Sequence, residues 1–227
     1  MKKTAVIGRG KTGQAVITAL GKQDLGEIFS TENPVTTGRL RESAAVIVFI
    51  PADGFSKILP ELLESKVPAV IGTTGFPFPA DLDRQLKERK ISWIIGSNFS
   101  PGMNFLFTVA KLAQKNLSFL GNPAIRIHEV HHVHKKDAPS GTALKLQNLI
   151  GVGEKTKITS ERLGDHRGLH ELSLETAAER LFFRHEALDR SAFGEGAVYA
   201  AKTLLPNCPP GLHTFETLME TKIKENL

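Results

Sequence analysis

The segment TAVIGRGKTGQAV, residues 4–16, decides the fold. It begins with a short, mostly apolar run that favours a buried strand. Gly8, Gly10 and Gly13 follow in G-x-G-x-x-G spacing, and a helix is predicted over residues 11–21. A strand that leads through such a loop into a helix is typical of a dinucleotide-binding unit, whereas the glycine spacing alone is weak evidence.

The glycines of this loop have separate physical roles in a phosphate-binding turn. Gly8 permits a tight turn, Gly10 lets the backbone approach a pyrophosphate, and Gly13 allows the helix to pack closely on the strand. The start of the helix adds N–H groups and positive potential. A glycine-rich turn without a ligand is the alternative interpretation. The rest of the predicted cofactor loop consists of Arg9, Lys11 and Thr12.

Short apolar runs alternate with helix-like stretches through the first hundred residues. The predicted strands cover residues 4–8, 26–30, 44–50, 68–72 and 91–96, and the predicted helices cover residues 11–21, 53–65 and 79–89, with a disturbance at Pro60. This alternation predicts an α/β fold in which a Rossmann-like, doubly wound parallel sheet forms the first domain.

Two polar loops follow strands of this predicted sheet, GTTGF at residues 72–76 and GSNFSPG at residues 96–102. Ligands of open α/β sheets collect at the carboxyl ends of the strands, although ordinary turn chemistry would also explain both loops. The residues that we expect near a nicotinamide are Gly72, Thr73, Thr74, Gly96, Ser97, Asn98 and Phe99.

The second predicted strand ends in Ser30, Thr31 and Glu32. Glu32 could hold the ribose hydroxyls of NADH, or Ser30 and Thr31 could accept the 2′-phosphate of NADPH together with Lys11. The choice between NADH and NADPH stays open at this point.

The regular alternation of predicted strands and helices ends at about residue 100. Predicted helices over 101–119, 140–150 and 191–205 are mixed with extended segments at 124–133, 156–163, 168–177 and 179–187. This pattern predicts an α+β domain with an open mixed or antiparallel sheet, whose last two strands are antiparallel neighbours. We expect a dinucleotide-binding domain at 1–100, a substrate-binding and oligomerisation domain at 101–189, and a segment at 190–227 that packs back on the first. Open sheets often pair across subunits, which favours an oligomer.

Composition narrows the class of protein. The 227 residues are 41% hydrophobic, which is enough for a packed core. The net charge of +5 is scattered rather than gathered in blocks, and it suits small anionic ligands as well as nucleic acid; we expect neither a nucleic-acid nor a membrane partner. The first residues lack the apolar stretch of a secretory leader, and no apolar run approaches the length of a membrane helix. Cys208 is the single cysteine, so we expect a reduced, cytoplasmic protein.

The densest group of proton carriers and cations lies in HHVHKKDAPSGTA, residues 131–143. If the chain is extended here, side chains alternate, which places Glu129, His131, Val133 and Lys135 on one side and His128, His132 and His134 on the other. A zinc site would use the second group, but no cysteine or acid completes it, and we predict no metal. Interleaved aromatics for nucleic acid are missing, and a solvated face explains only Lys136.

An anion pocket explains the run best. Ser140 is a good N-cap, so the backbone N–H groups of Gly141 and Thr142 open a helix and form a ready carboxylate site. Lys135 adds a positive charge, and His131 could hold a proton near neutral pH. Together with a dinucleotide domain, these groups predict the reduction of a carboxylate substrate, with a proton from His131.

The sequence resembles the dihydrodipicolinate reductase (4-hydroxy-tetrahydrodipicolinate reductase) family of lysine and diaminopimelate synthesis, as a short bacterial form. The similarity lies in EVHHVHKKDAPSGTAL, GTTGF, SNFSPGMN, RLGDHRGLHEL, HEALDRSAFGEGAVYAAKTL and PPGLHTF, in the family's order along nearly the whole chain. Of these, the segment from Glu129 to Leu144 is long and highly specific.

The resemblance implies a reductase that uses NADH or NADPH, forms a cytoplasmic homotetramer and transfers hydride to ring C4 of its substrate. It implies His131 as the proton donor, Lys135 as a catalytic and carboxylate-binding residue, and His132, Gly141 and Thr142 as substrate contacts. Val133 stands where many members have arginine, and the glycine loop is one residue shorter than in longer members. A related Rossmann amino-acid dehydrogenase and a nucleotide-binding regulatory protein without turnover are the alternatives.

Overall fold

The computed structural model describes residues 2–151 and 156–225. The predicted domain boundaries also include Met1, residues 152–155 and residues 226–227, which lie outside the described residues. The chain divides into two compact units, one formed by its first 101 residues together with the segment that begins at Arg190, and the other by Gly102–Asp189.

The described elements alternate as the sequence predicts in the first half and mix in the second. The strands are β1 (Thr4–Ile7), β2 (Leu25–Phe29), β3 (Ala45–Val48), β4 (Ala69–Ile71), β5 (Ser92–Ile95), β6 (Ala124–His131), β7 (Lys157–Arg162), β8 (Leu169–Glu175), β9 (Arg180–Glu186) and β10 (Gly211–Thr214). The helices are α1 (Lys11–Asp24), α2 (Thr37–Leu40), α3 (Ala52–Ser65), α4 (Leu82–Arg89), α5 (Pro101–Lys115), α6 (Gly141–Ile150), α7 (Ser191–Tyr199) and α8 (Phe215–Glu225). A π-helical turn, Ala200–Leu204, and a 3-10 turn, Leu205–Asn207, continue α7.

The first unit is built on a six-stranded parallel sheet with the order β10-β5-β4-β3-β1-β2. Separate apolar clusters cover its two faces, one around Phe55 and Trp93 and the other around Val16 and Phe215. The predicted doubly wound parallel sheet is therefore confirmed. The chain passes from β1 to β2 on one side of β1 and then to β3 on the other, which places a topological switch point at the end of β1.

The sequence did not predict the strand at one edge of this sheet. Strand β10 pairs in parallel with β5, and α8 follows it directly. Its four residues, GLHT, are too short and too polar to show the pattern of a central strand. The C-terminal segment thus supplies an edge strand of the parallel sheet.

Helix α3 contains Pro60 on its exposed face. Because proline has no backbone N–H, one carbonyl group of the preceding turn lacks its usual helical partner. The predicted end of another helix needs correction. Helix α5 ends at Lys115 rather than at residue 119. The side-chain amide of Asn116 donates to the carbonyl of Leu112 at 2.8 Å and so satisfies one of the last carbonyl groups of the helix.

The second unit contains a four-stranded mixed sheet with the order β7-β6-β8-β9. Strands β6 and β7 are parallel, and the other two pairs are antiparallel, as predicted for β8 and β9. Helices α5 and α6 cover one face through an apolar cluster that includes Phe107, Leu146 and Leu172. In both units, no described helix has the length and apolar character needed to span a bilayer.

Candidate active site

The glycine loop of the first unit is closely packed at two of its three glycines. Gly8 has a φ of 108°, and a Cβ there would lie 2.2 Å from the carbonyl oxygen of Phe49. A Cβ on Gly13 would lie 2.2 Å from the carbonyl oxygen of Gly8. Neither position can carry a side chain without moving the backbone, so the turn between β1 and α1 is fixed.

Gly10 differs from its neighbours because the space around it is open. A Cβ there would meet nothing within 4 Å, and Gly10 caps α1 without any side-chain hydrogen bond. The first turn of α1 contains no acidic residue, and both Arg9 and Lys11 are exposed beside it. Backbone N–H groups without a side-chain cap, next to two cations, fit the pyrophosphate of a dinucleotide.

The predicted cofactor loops lie along one edge of the parallel sheet. The first backbone N–H of each loop donates to a carbonyl oxygen of the neighbouring strand. Gly8 donates to Phe29 at 3.0 Å, Gly72 to Val48 at 2.8 Å and Gly96 to Ile71 at 3.0 Å. Since these are the carboxyl ends of parallel strands, the three loops share the edge at which ligands of such sheets bind.

Within these loops, some side chains are already engaged by the fold. The Thr73 hydroxyl is buried and donates to the carbonyl of Ile50 at 2.9 Å. Phe99 is buried, with its ring centroid 5.7 Å from that of Phe49 and 4.8 Å from that of Phe215. These two residues therefore offer a ligand mainly their backbone, whereas the side chains of Thr74 and Ser97 are exposed.

The turn after β2 is closed by Ser30. Its hydroxyl accepts the backbone N–H groups of Glu32 and Asn33, both at 3.3 Å. Arg39 is also occupied, because it pairs with Glu27 and lies over the Phe29 ring. The side chains of Thr31 and Glu32 are the exposed ones at this turn.

In the second unit, β6 ends at His131, which corrects the prediction of an extended chain to residue 133. A turn follows, in which the backbone N–H of Lys135 donates to the carbonyl of His132 at 3.1 Å. The side chains therefore stop alternating between the two faces of the strand after His131. His131 is 8% exposed, whereas Val133, predicted on the same face, is 55% exposed. The start of the motif is buried and its middle faces solvent.

His131 lies in a buried polar cluster that comes from four places in the sequence. Its Nδ1 is 3.2 Å from Oε2 of Glu129, which is fully buried. The ring of His170, on β8, packs edge-on against the His131 ring with centroids 5.0 Å apart. Arg162, opposite His131 on β7, reaches Oε1 of Glu129 at 3.3 Å, and the backbone N–H of Ser140 donates to the same oxygen at 3.0 Å.

Burial, nearby charges and hydrogen bonds together set the pKa values of this cluster. Burial, with the nearby charges of Lys135 and Arg162, lowers the pKa of His131 to about 4, although Glu129 opposes the shift. Burial also lowers the pKa of His170 to about 3. Burial alone would raise the pKa of Glu129, but hydrogen bonds from Ser140 and Ser160 bring it below its ordinary value. With this lowered pKa, the His131 ring is neutral near pH 7 in the chain without a ligand.

The predicted carboxylate cradle is formed by Lys135 and the start of α6. Lys135 Nζ lies 2.8 Å from one carboxylate oxygen of Asp137 and 3.0 Å from the other. The hydrogen bond from Lys135, together with one from the backbone N–H of Gly141, lowers the pKa of the Asp137 carboxyl group. The hydroxyl of Ser140 caps α6 by accepting the N–H of Ala143 at 3.2 Å. A carboxylate of the chain itself thus sits where the sequence predicts a carboxylate of the substrate.

Comparisons with known proteins show which family this chain is similar to. A family model described as "Dihydrodipicolinate reductase, C-terminus" matches residues 102–219. The 4-hydroxy-tetrahydrodipicolinate reductase of Methanococcoides burtonii is 31% identical over 222 residues, which cover 89% of this chain and 82% of the relative. That of Alkaliphilus oremlandii is 33% identical over 198 residues, covering 78% of this chain and 80% of the relative.

The chain belongs to the dihydrodipicolinate reductase family. It is accordingly an oxidoreductase of the NAD(P)H-dependent class. A dipicolinate-bound dihydrodipicolinate reductase from Paenisporosarcina sp. TG-14 has the same fold, with a TM-score of 0.77 at 21% identity over 96% of this chain and 99% of that one. An amine dehydrogenase from Mycobacterium smegmatis shares the fold at a TM-score of 0.64 and 10% identity, over 95% of each chain.

The remaining predicted site residues differ in exposure. His132 and Thr142 are half-buried and Gly141 is exposed. The ring of His132 lies 6.3 Å from that of His134. The structure thus gathers His131, Lys135 and the start of α6 within one unit, and it places His132 next to them in the turn.

Sequence reasoning missed Arg162 and His170 and gave Glu129 no role. Arg162 and His170 lie in segments that were read only as strands or as family similarity. Strand pairing brings them to the site: Arg162 lies opposite His131 on the parallel neighbour β7, and no local sequence pattern indicates that pairing.

The same cluster bears on the prediction of no metal. Among the described residues, Glu129, His131 and His170 offer ligand atoms within 4.8 Å of one another. Histidine nitrogens and a carboxylate are possible zinc ligands, and they are not the histidines that the sequence considered. The guanidinium of Arg162 already neutralises the carboxylate from 3.3 Å, which makes a further cation there less favourable.

Proposed function

We propose that this member of the family reduces 4-hydroxy-tetrahydrodipicolinate, or the dihydrodipicolinate formed from it by loss of water, to tetrahydrodipicolinate with NADH or NADPH in lysine (diaminopimelate) biosynthesis. The observation that carries the proposal is the buried Glu129–His131 pair, together with Lys135 and the start of α6. A proton carrier, a cation and helix N–H groups suit a cyclic dicarboxylate that must gain a proton.

The first unit would hold the nucleotide. Residues 8–13 would bind the pyrophosphate at the start of α1, and residues 72–74 and 96–99 would lie near the nicotinamide. When bound, the reduced nucleotide supplies a hydride to ring C4 of the substrate. The exposed turn at Thr31 and Glu32 would meet the ribose, and it supports neither nucleotide over the other.

The second unit would hold the dicarboxylate. Lys135 and the N–H groups of Gly141 and Thr142 would bind one carboxylate, which takes the place of Asp137 in the ion pair with Lys135. His132, in the adjoining turn, would be a further substrate contact. Fixed cations and helix dipoles of this kind orient the ring and balance charge as the reaction proceeds.

His131 would donate the proton that completes the reduction at ring C3. Its low pKa in the unliganded chain follows first from burial. A doubly negative guest nearby favours the imidazolium form, so substrate binding would raise this pKa and draw a proton onto the ring. The proton would then be present when the reduced ring needs it.

The decisive test is nucleotide oxidation. Purified protein is mixed with NADH or NADPH and enzymatically generated substrate, and the loss of absorbance of the reduced nicotinamide is followed. We expect turnover with at least one nucleotide. Binding of a nucleotide without oxidation of either one would refute the proposal and favour a regulatory protein.

Assembly and location belong to the same proposal. The sheet of the second unit has a face opposite α5 and α6 on which Phe182 is 55% exposed, and such a face supports a homotetramer joined through these sheets. Light scattering should give four chains per particle, and Phe182→Glu should reduce that number. A single half-buried thiol at Cys208 suits a reducing cytoplasm.

A further inference from the structure

We propose that Glu129 is a positioning residue, which fixes the tautomer and orientation of His131 and links that ring to the start of α6. This inference rests on the proposed function for its kinetic consequences. Its structural part concerns only the ring and the carboxylate, and it can be tested without turnover.

The two oxygens of Glu129 have different surroundings. Oε1 receives the backbone N–H of Ser140 at 3.0 Å and the guanidinium of Arg162 at 3.3 Å. Oε2 lies 3.2 Å from His131 Nδ1 and 3.8 Å from His170 Nε2. With its first oxygen held by two donors, the carboxylate cannot turn, and its second oxygen stays directed at the histidines.

Glu129 Oε2 and His131 Nδ1 are each other's natural partners. Among the described groups, neither atom has a well-directed hydrogen bond to anything else, and both are buried. At 3.2 Å, a small rotation of the ring lets a proton on Nδ1 serve both atoms. A buried polar atom left without a partner is costly, so the Nδ1–H tautomer is strongly favoured.

This tautomer leaves Nε2 as the nitrogen that exchanges the transferable proton. Gly168 lies beside that atom: a Cβ on Gly168 would be 3.2 Å from His131 Nε2. Gly168 has a φ of 143°, in a region that favours glycine. The fold therefore places the Glu129 carboxylate beside Nδ1 of His131 and a glycine, which has no side chain, beside Nε2.

The same carboxylate connects the proton carrier to the anion cradle. The N–H of Ser140, which Glu129 accepts, belongs to the residue that caps α6. A substrate carboxylate bound at the backbone N–H of Gly141 would therefore be adjacent to Ser140, whose own N–H binds the carboxylate that positions His131. Carboxylates that orient a catalytic imidazole act in this way in other enzymes, where the neutral amide variant selects the wrong tautomer.

The test uses Glu129→Gln. Because Ser140 and Arg162 are donors, they hold the amide oxygen, which turns the amide NH₂ toward His131 Nδ1. Nitrogen-15 NMR of the histidine rings should show the Nδ1–H form of His131 in the wild type and the Nε2–H form in the variant. We expect kcat to fall about 100-fold, with a smaller change in KM, since a general acid contributes roughly 10²- to 10⁴-fold.

Two further variants separate positioning from folding. Glu161→Gln removes an exposed carboxylate that lies 3.9 Å from another histidine, His128, and should change neither kcat nor the tautomer of His131. In a His131→Gln background, Glu129→Gln should cause no additional loss of kcat. The pH profile of kcat should shift in the Glu129 variant. The other charged or titratable groups near the His131 ring are Arg162, His170, Lys135 and Asp137, and His185 lies near His170.

Each outcome decides the inference. An Nε2–H tautomer in the wild type overturns it without any variant, even if Glu129→Gln fails to fold. An unchanged tautomer with wild-type kcat in Glu129→Gln, or a full additional loss in the double variant, also overturns it. A wild type that oxidises no nucleotide refutes the proposed function instead, and the ring measurement still stands.

Discussion

Single side chains carry the proposed chemistry, and burial sets the state of the most important one. His131 is neutral in the unliganded chain because the fold removes it from water, and Glu129 only partly compensates. In the proposed mechanism, this histidine takes up a proton when a negatively charged substrate binds and then donates it to the reduced ring. Lys135 pairs with Asp137 in this structure, and the proposed mechanism has a substrate carboxylate replace that contact.

Replacement of His131 by Gln should remove mainly turnover. The loss of a general acid predicts a fall in kcat of about 10²- to 10⁴-fold, with KM changed much less. The matched control is His128→Gln, since His128 lies on the same strand and bonds to Thr159 instead. Near-normal kcat with both nucleotides in His131→Gln would remove this residue from the mechanism.

Replacement of Lys135 by Ala should weaken both binding and turnover. A charge-assisted hydrogen bond contributes about 1.5–3 kcal/mol, so KM should rise by roughly tenfold or more, and kcat should fall. Lys136→Ala, at the exposed neighbouring position, is the control and should leave steady-state kinetics unchanged. Wild-type KM and kcat in Lys135→Ala would show that the substrate does not use this ammonium group.

Among the elements, β6 and α6 determine where these side chains lie. The sequence predicted both elements, the N-cap at Ser140 and the helix start after it. It did not predict that β6 stops at His131, because histidine, valine and lysine do not mark the end of a strand. Pairing beyond the local sequence decides this point: the N–H of Leu163 bonds to the carbonyl of His131, and the N–H of Val133 bonds to that of Gly164.

Replacement of Ser140 by Ala should affect both the helix and the substrate site. Loss of the cap on Ala143 N–H should lower the free energy of unfolding by about 1 kcal/mol in urea titrations. KM should rise as well, because α6 would present its first N–H groups less firmly. Thr36→Ala, which removes the equivalent cap of α2, should leave KM unchanged. Equal KM values in the two variants would argue against α6 as the carboxylate cradle.

For the molecule as a whole, local sequence patterns were sufficient to predict five strands of the parallel sheet but not the sixth, β10. The apolar runs at β1, β3 and β4 are continuous, and strands covered on both faces produce that signature. Strand β10 has no such pattern, since its place at the edge comes from pairing with β5. The buried cluster of Glu129, Arg162 and His170 likewise depends on pairing between distant strands, which a single sequence does not reveal.

Acid should destabilise the fold through its buried histidines. Their pKa values, about 4 for His131 and about 3 for His170, lie below the ordinary value of 6.5, so the unfolded chain binds more protons than the folded chain below that value. The stabilisation is complete above pH 6.5 and is lost as pH falls toward 4. Between pH 7 and 5 we expect a loss of about 1–2 kcal/mol per histidine in urea unfolding. His131→Asn should flatten this slope, and an unchanged slope would contradict the burial of a neutral ring.

The most direct test of the proton-donor role is the proton uptake that accompanies binding of a dicarboxylate. Dipicolinate, the ligand of the Paenisporosarcina relative, is titrated calorimetrically into the protein with bound nucleotide, in buffers of different ionisation enthalpy near neutral pH. The wild type should take up close to one proton per site and bind more tightly as pH falls, and His131→Gln should take up none. Tight binding with no proton uptake, or equal uptake by the variant, would contradict the assignment of His131.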